Sequence, residues 1–345
     1  MNLLILGGSL FLGRHVAECA LSRGHAVSAF TRGRRALPEG VLPLIGDRDP
    51  RNAQGLATLE GGRFDAVVDC TGYVPRAVEG SSSVLSKYAK RCIFISTVSV
   101  YADLSRPGVA EDAPLARLDD PATEDVPKHY GALKAACEGV VRRAFGERAT
   151  IVRPGLIVGP HDPTDRFGYW PARFVHPHLL GDRAVHAVVP APRERPIQVI
   201  DARDLASFIV GLAERDAGGV FNAISPARQW TFGDLVDACV DVASEGPGRS
   251  VPPSPTWVDE ATLARFHVEP WTGLPLWIPA SDADAAGFDL IDTSAAHAKG
   301  LRTRPLRETV LDTAAWLAVR DNTVAWKNVL SEARERQILS DLGAL

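Results

Sequence analysis

Tyr130-Gly131-Ala132-Leu133-Lys134 sets a phenol and an ammonium four residues apart. Side chains four apart on a helix share one face, a turn from each other. A free phenol has a pKa of about 10 and is almost wholly protonated at neutral pH. A neighbouring ammonium favours the phenolate and lowers that pKa, so the pair can act as a general acid/base. The same spacing also fits a half-buried tyrosine and a surface lysine on an ordinary helix. What weighs between these readings lies upstream.

Asn2–Leu6 is a nearly continuous apolar run, suited to a strand buried on both faces. Gly7-Gly8-Ser9-Leu10-Phe11-Leu12-Gly13-Arg14 follows, and Val16–Ser22 reads as a helix stopped by Gly24. Strand, glycine-rich turn and helix in that order is the context a dinucleotide site needs. Glycines let the backbone approach a pyrophosphate whose charge sits at the helix N-terminus. Gly7, Ser9, Leu10, Phe11, Leu12 and Gly13 are the candidates; Leu10 stands where a middle glycine is usual, and a plain tight turn is the alternative. The second strand, Ala26–Thr31, ends in Thr31-Arg32, with Gly33-Arg34-Arg35 beyond. An acid there would accept from a ribose 2′-hydroxyl, whereas arginine suits a 2′-phosphate; a solvated basic loop is the alternative.

Leu42–Ile45 reads as a third strand ending in Gly46-Asp47, and Phe64–Asp69 as a fourth ending in Cys70-Thr71-Gly72. Small residues at these ends leave room for adenine and ribose. Arg76–Ala89 suits a helix, Arg91–Ile95 a fifth strand, Tyr130–Ala144 a helix and Thr150–Val152 a sixth strand. Strands alternating with helices at this spacing predict an α/β fold with a doubly wound parallel sheet of Rossmann type, ligands lying at the carboxyl ends of the strands. Residues 1–160 form the expected dinucleotide-binding domain. Ile197–Ile200, Asp201–Glu214 and Gly219–Ala223 return to it within 197–225. A smaller C-terminal substrate-binding region is expected from 161–196 and 226–305, containing a helix Thr231–Val242 and a loop Glu245–Pro255. Helices Leu306–Val319 and Thr323–Leu342 fall in 306–345. Arg166, Trp170 and Arg173 are candidates to line the substrate cleft, with Asp165, Phe167, Tyr169, Trp257, Trp271 and Trp277 around them; packed loops are the alternative.

The chain has 345 residues, 46% hydrophobic and 23% charged, with net charge −4 and a pI near 6.2. No basic block offers an electrostatic footprint for nucleic acid. Five scattered cysteines without a Cys-x-x-Cys read as small buried hydrophobes in a reducing compartment. Met1–Leu12 lacks a basic leader, and no apolar run reaches the roughly 18 residues of a membrane span. The expectation is a cytoplasmic protein with no membrane partner. The histidines show no metal-ligand spacing, so no metal is expected.

With these residues in order, the chain resembles the extended short-chain dehydrogenase/reductases, or an atypical relative among bacterial NAD-dependent epimerase/dehydratase proteins. The glycine turn, Thr97 four before Tyr101, Tyr130 with Lys134, Arg153-Pro154…Gly159-Pro160, Asp201-Ala202-Arg203-Asp204-Leu205-Ala206 and Phe221-Asn222 carry the resemblance across most of the chain. It implies that Thr97 bonds the substrate oxygen, Tyr130 exchanges a proton with it, and Lys134 holds the nicotinamide ribose and lowers the Tyr130 pKa. It also implies cofactor contacts at Asp47, Cys70, Thr71, Gly72, Pro154 and Leu156, a substrate contact at Tyr101, and a homodimer through helices near 76–89 and 130–144. Three readings follow: a reductase or dehydrogenase of a small carbonyl or alcohol using NADP(H) in preference to NAD(H); an NAD-dependent sugar-nucleotide epimerase; and a non-enzymatic nucleotide-sensing or RNA-binding member. Dehydratases of the family place Asp-Glu after the catalytic threonine. Val98-Ser99 stand here, which argues against that elimination.

Overall fold

The computed structural model describes residues 1–49, 51–52, 55–183, 185–245, 251–321 and 323–344. The first half alternates as the sequence suggests: β1 (Asn2–Leu6), α1 (Phe11–Ser22), β2 (Ala26–Thr31), β3 (Leu42–Ile45), β4 (Ala66–Asp69), α2 (Pro75–Leu85), β5 (Cys92–Ile95), α3 (Val126–Phe145) and β6 (Ala149–Pro154). Beyond it come β7 (Leu156–Val158), α4 (Tyr169–Val175), β8 (His186–Pro190), β9 (Pro196–Ile197), β10 (Val199–Asp201), α5 (Ala202–Glu214), β11 (Gly219–Ala223), β12 (Trp230–Thr231) and α6 (Phe232–Glu245). The last elements are β13 (Ser254–Val258), α7 (Glu260–Arg265), α8 (Ser294–Ala298), α9 (Leu306–Ala318) and α10 (Glu332–Asp341).

Seven parallel strands form the main sheet in the order β11-β6-β5-β4-β1-β2-β3. Successive side chains of a strand point to opposite faces. Leu3 and Ile5 of β1 accordingly join the core under α1 and α5, while Leu4 and Leu6 join the one under α2 and α3. Both faces are covered, which is why these strands read as unbroken apolar runs. A third core gathers Trp170, Phe232, Trp277, Leu317 and Ile338 from the second half.

Three expectations need correction. β10 does not return to the main sheet: it pairs in parallel with β7, and β11 takes the place beside β6. Pro154 ends β6 without an N–H to offer, and a Cβ on Gly155 would lie 1.9 Å from Ile224, so the chain breaks there before β7. The long last helix covers only Glu332–Asp341, since the stretch before it is turns whose side chains cap locally, as Thr323 does on Asp321. In the expected Glu245–Pro255 loop, 246–250 lie outside the described residues, and Ser254 and Pro255 belong to β13.

Candidate active site

All seven strands run the same way, so β1, β2, β4 and β5 deliver their carboxyl ends to one edge of the sheet. At β1 the turn into α1 is built for close approach. Gly7 has φ +94°, and a Cβ on Gly13 would stand 2.0 Å from the Gly7 carbonyl oxygen. The first turn of α1 has no acidic residue, and Leu10 at its N-cap supplies no side-chain hydrogen bond. The leading N–H groups therefore have no capping acceptor, and the helix dipole adds positive potential. This fits a dinucleotide pyrophosphate. Ser9 is partly exposed, Leu10 exposed, Phe11 partly exposed, and Leu12 and Gly13 buried. A cavity of about 350 Å³ at the ends of β2 and β3 is lined by Arg32, Arg34, Ile45, Gly46, Asp47, Asn52 and Gly55. Thr31 turns its hydroxyl to the Gly33 N–H, 3.2 Å away, and Arg32 is exposed.

After β5, Thr97 caps a short turn by accepting the Ser99 N–H at 3.2 Å. Gly131 brings α3 against that turn: a Cβ there would lie 2.0 Å from the Ser99 carbonyl oxygen. Helical geometry in α3 is interrupted at His129 (φ −125°, ψ 30°), so the regular helix starts at Tyr130. This close approach brings the Tyr130 phenol near enough to Thr97 for the threonine to lower its proton affinity. Burial pushes the phenol pKa up, while the Thr97 contact and the Arg166 charge pull it back. The phenol is thus held protonated at neutral pH.

The hydrogen bonds of Lys134 go to the backbone rather than to Tyr130. Its Nζ donates to the carbonyls of Gly72 at 2.7 Å and Ile95 at 2.6 Å, and it lies 4.2 Å from the Phe94 ring centroid. Burial of the ammonium pushes its pKa down to about 8, against the pull of Asp69. A buried cation takes the nearest acceptors, and here those are the open carbonyls after β4 and β5.

Three expected substrate contacts are structural instead. Trp170 is fully buried, its indole N–H donating to the Pro275 carbonyl at 3.1 Å. Arg173 is fully buried and ion-paired with Glu335. Tyr101 is 4% exposed; its hydroxyl donates to Asn222 Oδ1 at 2.6 Å and accepts from Arg153. Arg153 in turn pairs with Glu138, which also accepts from Ser96. The Arg153-Pro154 and Phe221-Asn222 motifs are therefore parts of one buried network bracing β5, α3, β6 and β11. Phe167, Tyr169 and Trp277 are core as well, Asp165 ties Arg320, and Trp257 and Trp271 pack half-buried on that core. Pro154 and Leu156 are buried at the break between β6 and β7. Arg166 stays half-buried beside Tyr130.

Sequence reasoning missed two features. Arg48 grips Asp69 with two 2.8 Å hydrogen bonds and also donates to Thr71 and Ser81. Asp69 takes the Thr71 N–H at 2.9 Å, so the pair shapes the Cys70-Thr71-Gly72 turn to which Lys134 is bonded. A carboxylate ending an otherwise apolar strand, with an arginine one strand earlier, was the available signal. Tyr73 follows that turn, with its ring centroid 6.5 Å from that of Tyr130, and burial pushes its phenol to about 12. Among the described residues no group of His, Cys, Asp and Glu could hold a metal, and no helix is long and apolar enough to cross a membrane.

The profile of the NAD dependent epimerase/dehydratase family matches residues 3–225. A 41 kDa chloroplast stem-loop binding protein b of Arabidopsis thaliana is 27% identical over 258 residues, 69% of this chain and 62% of that protein. A 2-alkyl-3-oxoalkanoate reductase of Stenotrophomonas maltophilia (strain K279a) is 29% identical over 185 residues, 47% of this chain and 52% of its own. The chain thus spans between half and two thirds of these relatives' lengths. The Bordetella bronchiseptica enzyme WbmH, solved with NAD+, superposes with TM-score 0.64 at 18% identity, covering 92% of this chain and 98% of that one. A UDP-N-acetylglucosamine 4-epimerase from Bacillus cereus superposes with TM-score 0.63 at 15% identity, covering 92% and 99%. At such identities the superpositions speak for the fold, a Rossmann-type sheet shared with NAD-binding enzymes. The profile covers well over half of the chain, glycine turn, Thr97, Tyr130 and Lys134 included, and the protein belongs to the NAD dependent epimerase/dehydratase family.

Proposed function

We propose that this protein is an NADP(H)-dependent oxidoreductase acting on a small carbonyl or alcohol, with Tyr130 as the group that exchanges a proton with the substrate oxygen. The observation that carries the reading is Tyr130 near Thr97 after β5, on the sheet edge to which β1 also delivers the open glycine turn. The bound nicotinamide would supply or accept the hydride. Thr97 and Tyr130 would hold the substrate oxygen, and the protonated phenol would donate as charge develops on it. Gly7 to Gly13 would take the pyrophosphate, and Lys134, already fixed between Gly72 and Ile95, would meet the nicotinamide ribose. The relative named as an oxoalkanoate reductase supports this class of chemistry. Arg32 and Arg34 on the β2–β3 cavity favour a 2′-phosphate.

A second reading, sugar-nucleotide epimerisation, draws support from a cavity of about 400 Å³ lined by Arg195, Arg228, Pro279, Asp289 and Leu290, whose two guanidinium groups suit a diphosphate. The stem-loop binding relative lends the RNA-binding reading a name, but the net charge of −4 does not favour it.

Screening purified enzyme for NADPH oxidation against ketones and oxo acids, and against UDP-sugars for epimerisation without net cofactor turnover, separates the first two. Tyr130→Phe should lower kcat by roughly 10²–10⁴-fold while NADPH still binds. A variant retaining more than about a tenth of wild-type kcat would remove Tyr130 from the chemistry.

A further inference from the structure

Arg166 is a half-buried cation in contact with no carboxylate. Arg48, Arg153, Arg183, Arg203, Arg304 and Arg320 each meet a carboxylate as they leave solvent. No carboxylate of the described residues lies within ion-pairing distance of Arg166, although it is half-buried. Its Nε is spent on the Thr164 hydroxyl at 3.1 Å, which leaves the two terminal nitrogens of the fork. Desolvation destabilises the charged form and pulls its pKa down. A half-buried guanidinium whose one side-chain hydrogen bond goes to a hydroxyl still has its terminal N–H donors to offer an anion.

The segment that carries Arg166 is held firmly. Asp162 Oδ1 accepts from the Thr164 N–H at 2.9 Å and the Thr164 hydroxyl at 2.7 Å. Asp165 takes the Lys327 N–H at 2.9 Å and pairs with Arg320. Asp162 is 2% exposed, and its Oδ2 is buried with no donor. Arg166 is close enough to Asp162 and to the Tyr130 phenol for its charge to act on both.

We propose that Arg166 is the receptor for an oxyanion of the substrate, a carboxylate or a phosphate docked beside Tyr130, so that the protein acts on anionic carbonyl compounds in preference to neutral ones. This rests on the oxidoreductase reading above. The planar fork offers two parallel N–H donors to two oxygens of the anion, and this fixes the distance from the anionic group to the carbon under Tyr130.

The test compares matched pairs by calorimetry, on enzyme saturated with whichever of NADP+ and NAD+ binds more tightly. The pairs are acetoacetate against ethyl acetoacetate, and dihydroxyacetone phosphate against dihydroxyacetone. Wild-type protein should bind the charged member of one pair roughly ten- to a hundredfold more tightly, and the pair that responds tells carboxylate from phosphate. Arg166→Gln should erase the preference and Arg166→Lys should keep part of it, with the variants' cofactor affinity reporting that they are folded. Equal binding of charged and neutral members, a preference that survives Arg166→Gln, or no anion binding at low millimolar concentration overturns the proposal. Arg166-dependent anion binding without any NADPH consumption would retain the receptor and sink the oxidoreductase reading. Tyr130-dependent turnover of neutral ketones, indifferent to Arg166→Gln, would do the reverse.

Discussion

At the scale of single residues, burial rather than sequence neighbourhood sets the proton affinities. Tyr130 and Lys134 share a helix face, yet the lysine is spent on strand-end carbonyls and the phenol answers to Thr97 and Arg166. Asp289 gives a sharper test of the same principle. Burial pushes its carboxyl from the ordinary 3.8 up to about 7, against the Gln198 N–H that it accepts and the Arg195 charge. A folded-state pKa above the unfolded one means that the folded protein holds the extra proton. That stabilisation is fully present below about 3.8 and is lost as the pH rises through about 7. Asp289→Asn keeps the acceptor for Gln198 and has no charge to bury. The variant should therefore gain Tm relative to wild type as the pH is raised from 4 to 7.5, with little difference at the acid end. A difference that is flat with pH would show that Asp289 is not held neutral by the fold.

At the scale of elements, two close approaches matter most. Gly131 lets α3 touch the turn after β5, and the 2.0 Å that a Cβ would leave to Ser99 cannot be absorbed without moving a backbone. Gly131→Ala should shift Tyr130 from Thr97 and lower kcat by at least about tenfold, since misplacement by an ångström costs up to a hundredfold, while NADPH affinity changes little. Unchanged kcat would mean that the contact does not govern turnover. The second element is the end of β2. Arg32 can meet a 2′-phosphate with charge-assisted hydrogen bonds, each contributing about 1.5–3 kcal/mol, and Thr31 carries no charge to repel it. NADPH should bind roughly ten- to a hundredfold more tightly than NADH, and Thr31→Asp with Arg32→Ala should reverse the order. Calorimetric titration of both nucleotides decides it, equal affinities removing Arg32 from cofactor choice.

At the scale of the molecule, the C-terminal helix locks the second half. Glu335 of α10 is 1% exposed and accepts from Arg173, from Arg183 and from the Val188 N–H, clasping α4 and β8. Asp165 does the same for the segment beside Arg166 by tying Arg320 and Lys327. Removing one partner of a buried ion pair typically costs about 3–5 kcal/mol. Glu335→Ala should lower the unfolding free energy by that amount in denaturant titrations. A loss below about 1 kcal/mol would place this carboxylate among exposed pairs of little consequence.

The parallel sheet, the glycine turn and the placement of Thr97 and Tyr130 at strand and helix ends are legible in the sequence. These rest on forces acting over a few residues: side-chain alternation along a strand, the room a glycine leaves, and the missing N–H of proline. Where each charge finds its partner depends on the assembled fold. Arg48 meets Asp69 and Arg173 meets Glu335 across crossovers that no local pattern encodes. The same holds for Trp170, whose aromatic character suits a cleft wall or a core equally, until packing against Phe232 makes it core. Arg166 stood among the sequence candidates beside Arg173 with nothing to tell the two apart. A buried charge must find a partner somewhere, and only the assembled fold shows that Arg173 is paired with Glu335, whereas half-buried Arg166 is ion-paired with no carboxylate among the described residues.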